Sequence, residues 1–267
     1  MLQSLQRILS DTGVQPRHQM TEEEWQRHLV DQMNSEPGTK DDGIDCPDCL
    51  NRGYYFRYDE QMAARVQVPC HCLARREARR RLDRSGLGPA LRRMTFATYQ
   101  ADDEWQRRIY AAAKAYAATP AGWFLAGGQV GSGKTHICTA ILQELSLRYP
   151  VRYMLWRDES ARIKALLNEP EGVERMRDLK TAPVLYIDDL FKGAERPTQG
   201  DLNLAFELLN YRYNDRNLLT ILSTERSLDE ILEIDEAVGS RIYERSKEYY
   251  LPLNATNWRL RNGQDGA

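Results

Sequence analysis

Gly128-Gln129-Val130-Gly131-Ser132-Gly133-Lys134-Thr135 is the stretch on which the fold turns. It fits the pattern G-x-x-x-x-G-K-[ST] without a gap. A short apolar run, Trp123-Phe124-Leu125-Ala126, precedes it, and an amphipathic helix is expected over residues 134–148. Strand, glycine turn and helix in that order form the setting in which such a loop cradles phosphate. Glycines let backbone N–H groups turn inward, and the helix N-terminus adds a partial positive charge. Lys134 is placed to reach the β and γ phosphates, and the Thr135 hydroxyl to ligate Mg²⁺. A chance glycine-rich turn would not explain the flanking strand and helix.

The continuous apolar run Val184-Leu185-Tyr186-Ile187 reads as a strand covered on both faces. Asp188 ends it, which puts its carboxylate at the C-terminal sheet edge beside the loop, as a ligand for Mg²⁺ or its water. Asp189 follows, positioned to orient the attacking water. The plainer alternative is a polar loop capping a strand. The next strand, Leu218 to Ser223, ends in Ser223-Thr224-Glu225, where Thr224 is a candidate contact for the γ-phosphate or the lytic water. A structural threonine at a strand end is the competing explanation. Gly239-Ser240-Arg241-Ile242-Tyr243-Glu244-Arg245 reads as helix. In ring-forming ATPases an arginine here enters the neighbour's site, so Arg241 is the first candidate finger and Arg245 the second, against a solvated helix arginine.

The surrounding pattern alternates. Strands are expected at 151–155 and 249–253, and helices at 159–168, 201–213, 227–232 and 235–246. This is the signature of an α/β fold with a parallel sheet flanked by helices. The chain has 267 residues, 42% hydrophobic and 28% charged, with formal net charge -2. That excludes a polycation and leaves charge to be judged locally. With neither a secretory signal nor a membrane-length apolar run, a cytoplasmic setting is expected.

In a reducing compartment clustered cysteines suggest metal over disulfides. Cys46-x₂-Cys49 is a tight knuckle, and Cys70-x-Cys72 brackets His71. The favoured reading is Zn²⁺ on Cys46, Cys49, Cys70 and Cys72, with His71 in place of one cysteine, an iron–sulfur cluster and free thiols as alternatives. So short and polar a region would take its folding energy from the metal. Cys138, on the helix after the loop, reads as core. Thr21 with Glu24 marks a helix start. Arg75, Arg76, Arg79, Arg80, Arg81, Arg84, Arg92 and Arg93 form a cationic stretch. It can track single-stranded DNA, dock on an acidic protein surface, or serve as a solvated linker helix. Tyr54, Tyr55, Phe56 and Tyr58 can stack bases, contact protein or pack. The expected layout is a helical or flexible segment at 1–45, a zinc module at 46–74, an arginine-rich linker helix at 75–94, the ATPase domain at 95–253 and a tail at 254–267.

Gly131-Ser132-Gly133-Lys134-Thr135-His136, Ile187-Asp188-Asp189-Leu190, Asn210-Tyr211-Arg212-Tyr213-Asn214 and Ser240-Arg241-Ile242 together resemble the DnaC/DnaI replicative helicase loaders of the AAA+ class. Arg81 to Leu87, with Met94-Thr95-Phe96 and Tyr99, is similar to their domain junction, so the resemblance covers about residues 75–253. It implies a P-loop AAA+ domain without a C-terminal lid, for which residues 254–267 leave no room, and the Ser223-Thr224-Glu225 and Trp258-Arg259-Leu260-Arg261 variants suggest a phage or prophage version. Arg259 or Arg261 would then stand in for the lid's phosphate-sensing charge. It implies ATP on Gly128, Val130, Gly131, Ser132, Gly133, Lys134, Thr135, His136 and Asp188. It further implies self-association through the ATPase domain, a hexameric replicative helicase held by the N-terminal module, and single-stranded DNA. Two departures stand out: the usual Glu is Asp189, which suggests slow or partner-dependent turnover, and the usual Asn is Glu225. Alternatives are an IstB-like transposition regulator, an adaptor with little hydrolysis, and a small-molecule kinase. The last would leave Asp188, Asp189 and Arg241 without purpose.

Overall fold

The computed structural model describes residues 20–167, 169–193 and 196–253. The tail with Arg259 and Arg261, and with it the expected absence of a lid, lies outside these residues, as does the start of the N-terminal segment. Two compact units are present, one ending at Glu77 and the other beginning at Ala78.

In the first unit, helix α1 (Glu22–Ser35) starts at a capping box between Thr21 and Glu24, as Thr21-x-x-Glu24 dictates. Strands β1 (Tyr54–Asp59) and β2 (Ala64–Pro69) form an antiparallel hairpin. Asn34 of α1 joins it by accepting from the Phe56 amide and donating to the Phe56 carbonyl, both at 2.8 Å. The hairpin was not expected from the sequence. It carries one cysteine pair just before β1 and the other just after β2. Helix α2 (Cys72–Arg84) starts on the last cysteine and ends at Ser85-Gly86.

The second unit is a parallel sheet of β3 (Trp123–Gly128), β4 (Val151–Leu155), β5 (Val184–Asp188), β6 (Leu219–Thr224) and β7 (Tyr250–Leu253). The strand order is β4-β5-β6-β3-β7. The helices are α3 (Glu104–Ala118), α4 (Lys134–Leu145), α5 (Trp156–Ala165), α6 (Pro170–Thr181), α7 (Gln199–Asn214), α8 (Leu228–Ile234) and α9 (Glu236–Ser246). Side chains alternate across each strand. Phe124, Ala126, Val184, Tyr186 and Ile221 pack with Ile109, Tyr116, Ile137, Ile141 and Leu145 of α3 and α4. Trp123, Leu125, Leu185, Ile187 and Leu222 face Met176, Leu204, Leu208, Val238 and Ile242 of α6, α7 and α9. With both faces covered, β3 and β5 are near-continuous apolar runs, and this is why they were legible.

Arg212 is fully buried on α7. It donates to the carbonyls of Leu179, Lys180, Ala182 and Leu219 and to the Thr220 hydroxyl, at 2.6–3.0 Å. Burial pushes its pKa down to about 9, so it stays charged at neutral pH. The cation satisfies the C-terminal carbonyls of α6 and joins them to β6. Arg212→Leu is expected to cost about 3 kcal/mol, because those carbonyls lose their donors in a dry interior. Urea denaturation of the two proteins checks this; equal midpoints would contradict it.

Candidate nucleotide site

The loop leaves β3 at Gly128 (φ 120) and enters α4 through Gly133, its N-cap in the left-handed region (φ 80). Gly131 is also left-handed (φ 78). Such backbone is cheap only for glycine. The turn aims the first N–H groups of α4 into a cavity of about 400 Å³ lined by Val130–His136, Asp189, Lys192 and Glu225. Lys134 Nζ donates to the carbonyls of Gly128 (2.7 Å) and Gln129 (2.6 Å). Burial lowers its pKa, and the nearby Glu225 and Asp189 carboxylates oppose that shift. An ammonium already dehydrated and held by neutral carbonyls is ready to exchange them for phosphate oxygens.

Asp188, buried at the end of β5, accepts from Thr135 Oγ1 at 3.2 Å, Tyr153 Oη at 3.0 Å, Tyr186 Oη at 2.6 Å and Ser223 Oγ at 2.5 Å. Loop hydroxyl and strand-edge carboxylate therefore meet where a hard cation needs oxygen ligands, and the residues present fit Mg²⁺. Tyr153, Tyr186 and Ser223 were not singled out in the sequence. They come together because β4, β5 and β6 are in register, with Tyr153 opposite Tyr186 and Ile187 opposite Leu222. Burial raises the pKa of both tyrosines, so they remain O–H donors to Asp188.

Asp189 sits at φ 58 and Phe191 at φ 59, left-handed conformations uncommon for such residues. The Asp189 N–H donates to Ser223 Oγ (2.9 Å), and its carboxylate pairs with Lys192 (2.9 Å). Thr224 is turned away: its hydroxyl donates to the Leu190 carbonyl (2.9 Å) and accepts from the Arg226 amide (3.2 Å). Of its neighbours, Ser223 is buried and donates to Asp188, and Glu225 lines the cavity.

Met94, Thr98, Tyr99, Gln100, Trp105 and Gln106 close the side of the cavity. His136 pins this segment by donating from Nε2 to the Thr95 carbonyl (3.0 Å) and packing edge-on to Tyr99 (5.2 Å). Gln143 holds the Met94 carbonyl (2.8 Å). His136 thus braces the wall of the site. The aromatic side chains give the cavity an apolar wall, with Tyr99 close against Gly133 of the loop, beside the cationic Lys134 and Lys192. Cys138 lies beneath the loop in the core, and burial pushes its thiol pKa well up.

Of the finger candidates, Arg241 lies on the α7–α9 surface. It donates to Asn210 Oδ1 (2.9 Å) and the Ala237 carbonyl (2.6 Å) and stacks near Phe206 (4.9 Å) and Tyr213 (5.5 Å). Arg245 instead turns inward. It is buried, and its guanidinium donates to the carbonyls of Tyr213 in the last turn of α7 and of Asp215 and Arg216 just after it. That clamp leaves it no reach toward another molecule in this conformation.

In the first unit the four sulfurs of Cys46, Cys49, Cys70 and Cys72 lie within 4.8 Å of one another, all buried. Cys46–Cys70 and Cys49–Cys72 are separated by 3.7 and 3.5 Å. A tetrahedron with Zn–S arms of about 2.3 Å has edges of about 3.8 Å, so the cluster fits zinc. The Gly53 amide donates to Cys49 Sγ (3.2 Å), as such knuckles require of a thiolate ligand. Buried Arg76 lies against Cys72, donates to Ile44 O and Asn51 Oδ1, and pairs with Asp42. It is a cation well placed to offset four thiolates. His71 is exposed and faces Asp48 (3.5 Å). Of the arginine stretch, Arg76 is used here, Arg81 donates to the Ser146 carbonyl and Arg92 pairs with Asp83.

No family model matches the chain. The phage-like element PBSX protein XkdC of Bacillus subtilis (strain 168) is 30% identical over 239 residues, 83% of this chain and 87% of XkdC. The chain belongs to the XkdC family. Its fold is the P-loop AAA+ fold. A crystal structure of the DnaC helicase loader superposes with TM-score 0.53 at 22% identity, covering 62% of this chain and 98% of that one. The replication initiator DnaA bound to AMPPCP and single-stranded DNA gives TM-score 0.53 at 21% identity, covering 64% and 52%. Among the described residues no helix is long and apolar enough to cross a membrane.

Proposed function

We propose that the chain is an ATP-dependent loader that binds the hexameric replicative DNA helicase and delivers it to single-stranded DNA, with ATP binding and hydrolysis controlling release. The observation that carries this reading is the meeting of Thr135 and Asp188 beside the glycine loop, in a fold shared with a helicase loader. In the second unit Lys134 and the α4 amides hold the triphosphate and the Met94–Trp105 wall holds adenine. Mg²⁺, held by Thr135 and Asp188, would supply charge neutralisation at the β and γ phosphates. Asp189 orients the attacking water, and Arg241 reaches the site of a neighbouring copy. Zinc on Cys46, Cys49, Cys70 and Cys72 shapes the first unit to grip the helicase, and the arginines left exposed serve DNA. The kinship with a phage-like element protein supports a phage or prophage origin. The engagement of Asp189 by Lys192 favours one second reading, a nucleotide-binding adaptor with little hydrolysis.

Size-exclusion chromatography of the full chain with the hexameric helicase of the same host or phage tests the loader. Co-elution with ATP, weakened by ADP, is expected; elution as separate species under both conditions would remove the proposal. In the assembled state Arg241→Ala is expected to slow hydrolysis by about a hundredfold or more. An adaptor would show neither turnover nor any response to single-stranded DNA.

A further inference from the structure

Lys192 is the second lysine in the cavity, and neither the glycine loop nor the paired aspartates account for it. Its Nζ lies 2.9 Å from Asp189 Oδ2 and 2.8 Å from Glu225 Oε1. Its backbone is fixed. The Lys192 amide donates to the Asp189 carbonyl (3.0 Å), closing a turn through left-handed Asp189 and Phe191. Phe191 is buried edge-on against Trp156 (5.5 Å). The Leu190 amide donates to the Ser223 carbonyl (2.8 Å), and the Leu190 carbonyl accepts from Thr224. A turn strained and anchored at this many points delivers a flexible four-carbon stem to the cavity mouth. Its side chain remains 42% exposed, so the ammonium can move.

The charges around it set its task. Asp188, Asp189 and Glu225 bring three carboxylates to this end of the site, against Lys134 and Lys192. Glu225 lines the same cavity as the glycine loop, and an unpaired carboxylate there would repel phosphate. Lys192 cancels that repulsion. We propose that Lys192 is a positioning residue that reads the terminal phosphate of a nucleoside triphosphate: in the empty site it bridges Asp189 and Glu225, and the γ-phosphate draws it away, freeing Asp189. A diphosphate, whose phosphates end within the loop and Lys134, does not reach it. Lys192 therefore separates tri- from diphosphate and links that choice to the residue assigned to the lytic water. This rests on the nucleotide reading above.

The test is the equilibrium affinity of the full chain for Mg·ATP and Mg·ADP. Lys192→Ala is expected to weaken ATP binding about tenfold and ADP binding less than about twofold, the loss of one partly screened ion pair. Lys192→Arg keeps the discrimination. Adding Glu225→Gln to Lys192→Ala restores about threefold of the ATP affinity, since it removes the carboxylate that the lysine had offset. A merely structural ion pair would lower the melting temperature of the chain and leave the ATP-to-ADP ratio unmoved. Equal losses for both nucleotides, or no loss, overturn the assignment of Lys192 while leaving the site intact. A wild-type chain that binds neither nucleotide removes the site itself and this assignment with it.

Discussion

Lys134→Ala is expected to lower ATP affinity by about a thousandfold while leaving the fold intact. The magnitude follows from one ammonium within about 4 Å of phosphate charge at an effective dielectric near 20, worth about 4 kcal/mol. Lys134 is nearly buried and already desolvated, held by the Gly128 and Gln129 carbonyls at 2.7 and 2.6 Å. Little further dehydration is needed when it transfers to phosphate, so its attraction is delivered almost undiminished. Those carbonyls can turn to water once the side chain is gone, so the melting temperature without nucleotide should change by no more than a few degrees. Titration with a fluorescent ATP analogue measures the first quantity and calorimetry the second. Affinity within about threefold of wild type would mean that phosphate binds elsewhere.

Stripping the metal is expected to unfold the first unit and spare the second. The buried apolar cluster around the hairpin consists of Cys46, Cys49, Cys70 and Cys72, with Tyr55 packed against it. Among the described residues of this unit, four thiols, one aromatic ring and Val30 of α1 bury too little to offset the entropy of ordering such a segment. The proposed zinc, worth roughly 10 kcal/mol or more on coordination, would supply the difference. Cys49 is the most telling position. Burial acts against its thiolate, but the Gly53 amide and the other three thiols outweigh burial and lower its pKa to about 7. Cys49→Ser, or prolonged chelation, should collapse the amide chemical-shift dispersion of residues 20–77. ATP affinity of the second unit should stay within about twofold. Dispersed signals from a verified metal-free chain would show that the thiols pack unaided.

The legible parts of the sequence were those in which a local pattern carries its own physics. The loop, the apolar strands and Asp188 at a strand end needed nothing beyond the order of residues. Helices α3 and α6 went unread because a run of alanines blurs the apolar period of α3, and α6 offers only Val173, Met176 and Leu179 among charges. The β1–β2 hairpin was hidden among arginines and tyrosines that looked like charge, not alternation. The hydroxyl ring on Asp188 depends on strand register, which places Tyr153, Tyr186 and Ser223 together from three separate segments. No spacing rule reports that. Arginine misled most. Arg245, read in the sequence as a second finger candidate, is a buried carbonyl clamp in the fold, as is Arg212, since only long-range packing determines which guanidinium turns inward. Lys192 was overlooked for the same reason: its partner Glu225 lies on another strand's end.

A crystal structure of the full chain grown with Mg²⁺ and a non-hydrolysable ATP analogue tests the central claim most directly. Triphosphate in the 128–135 turn, with Mg²⁺ on the Thr135 hydroxyl and within one water of Asp188, is the expected result. Nucleotide bound away from Lys134, or a triphosphate in the turn with no cation between Thr135 and Asp188, would contradict it.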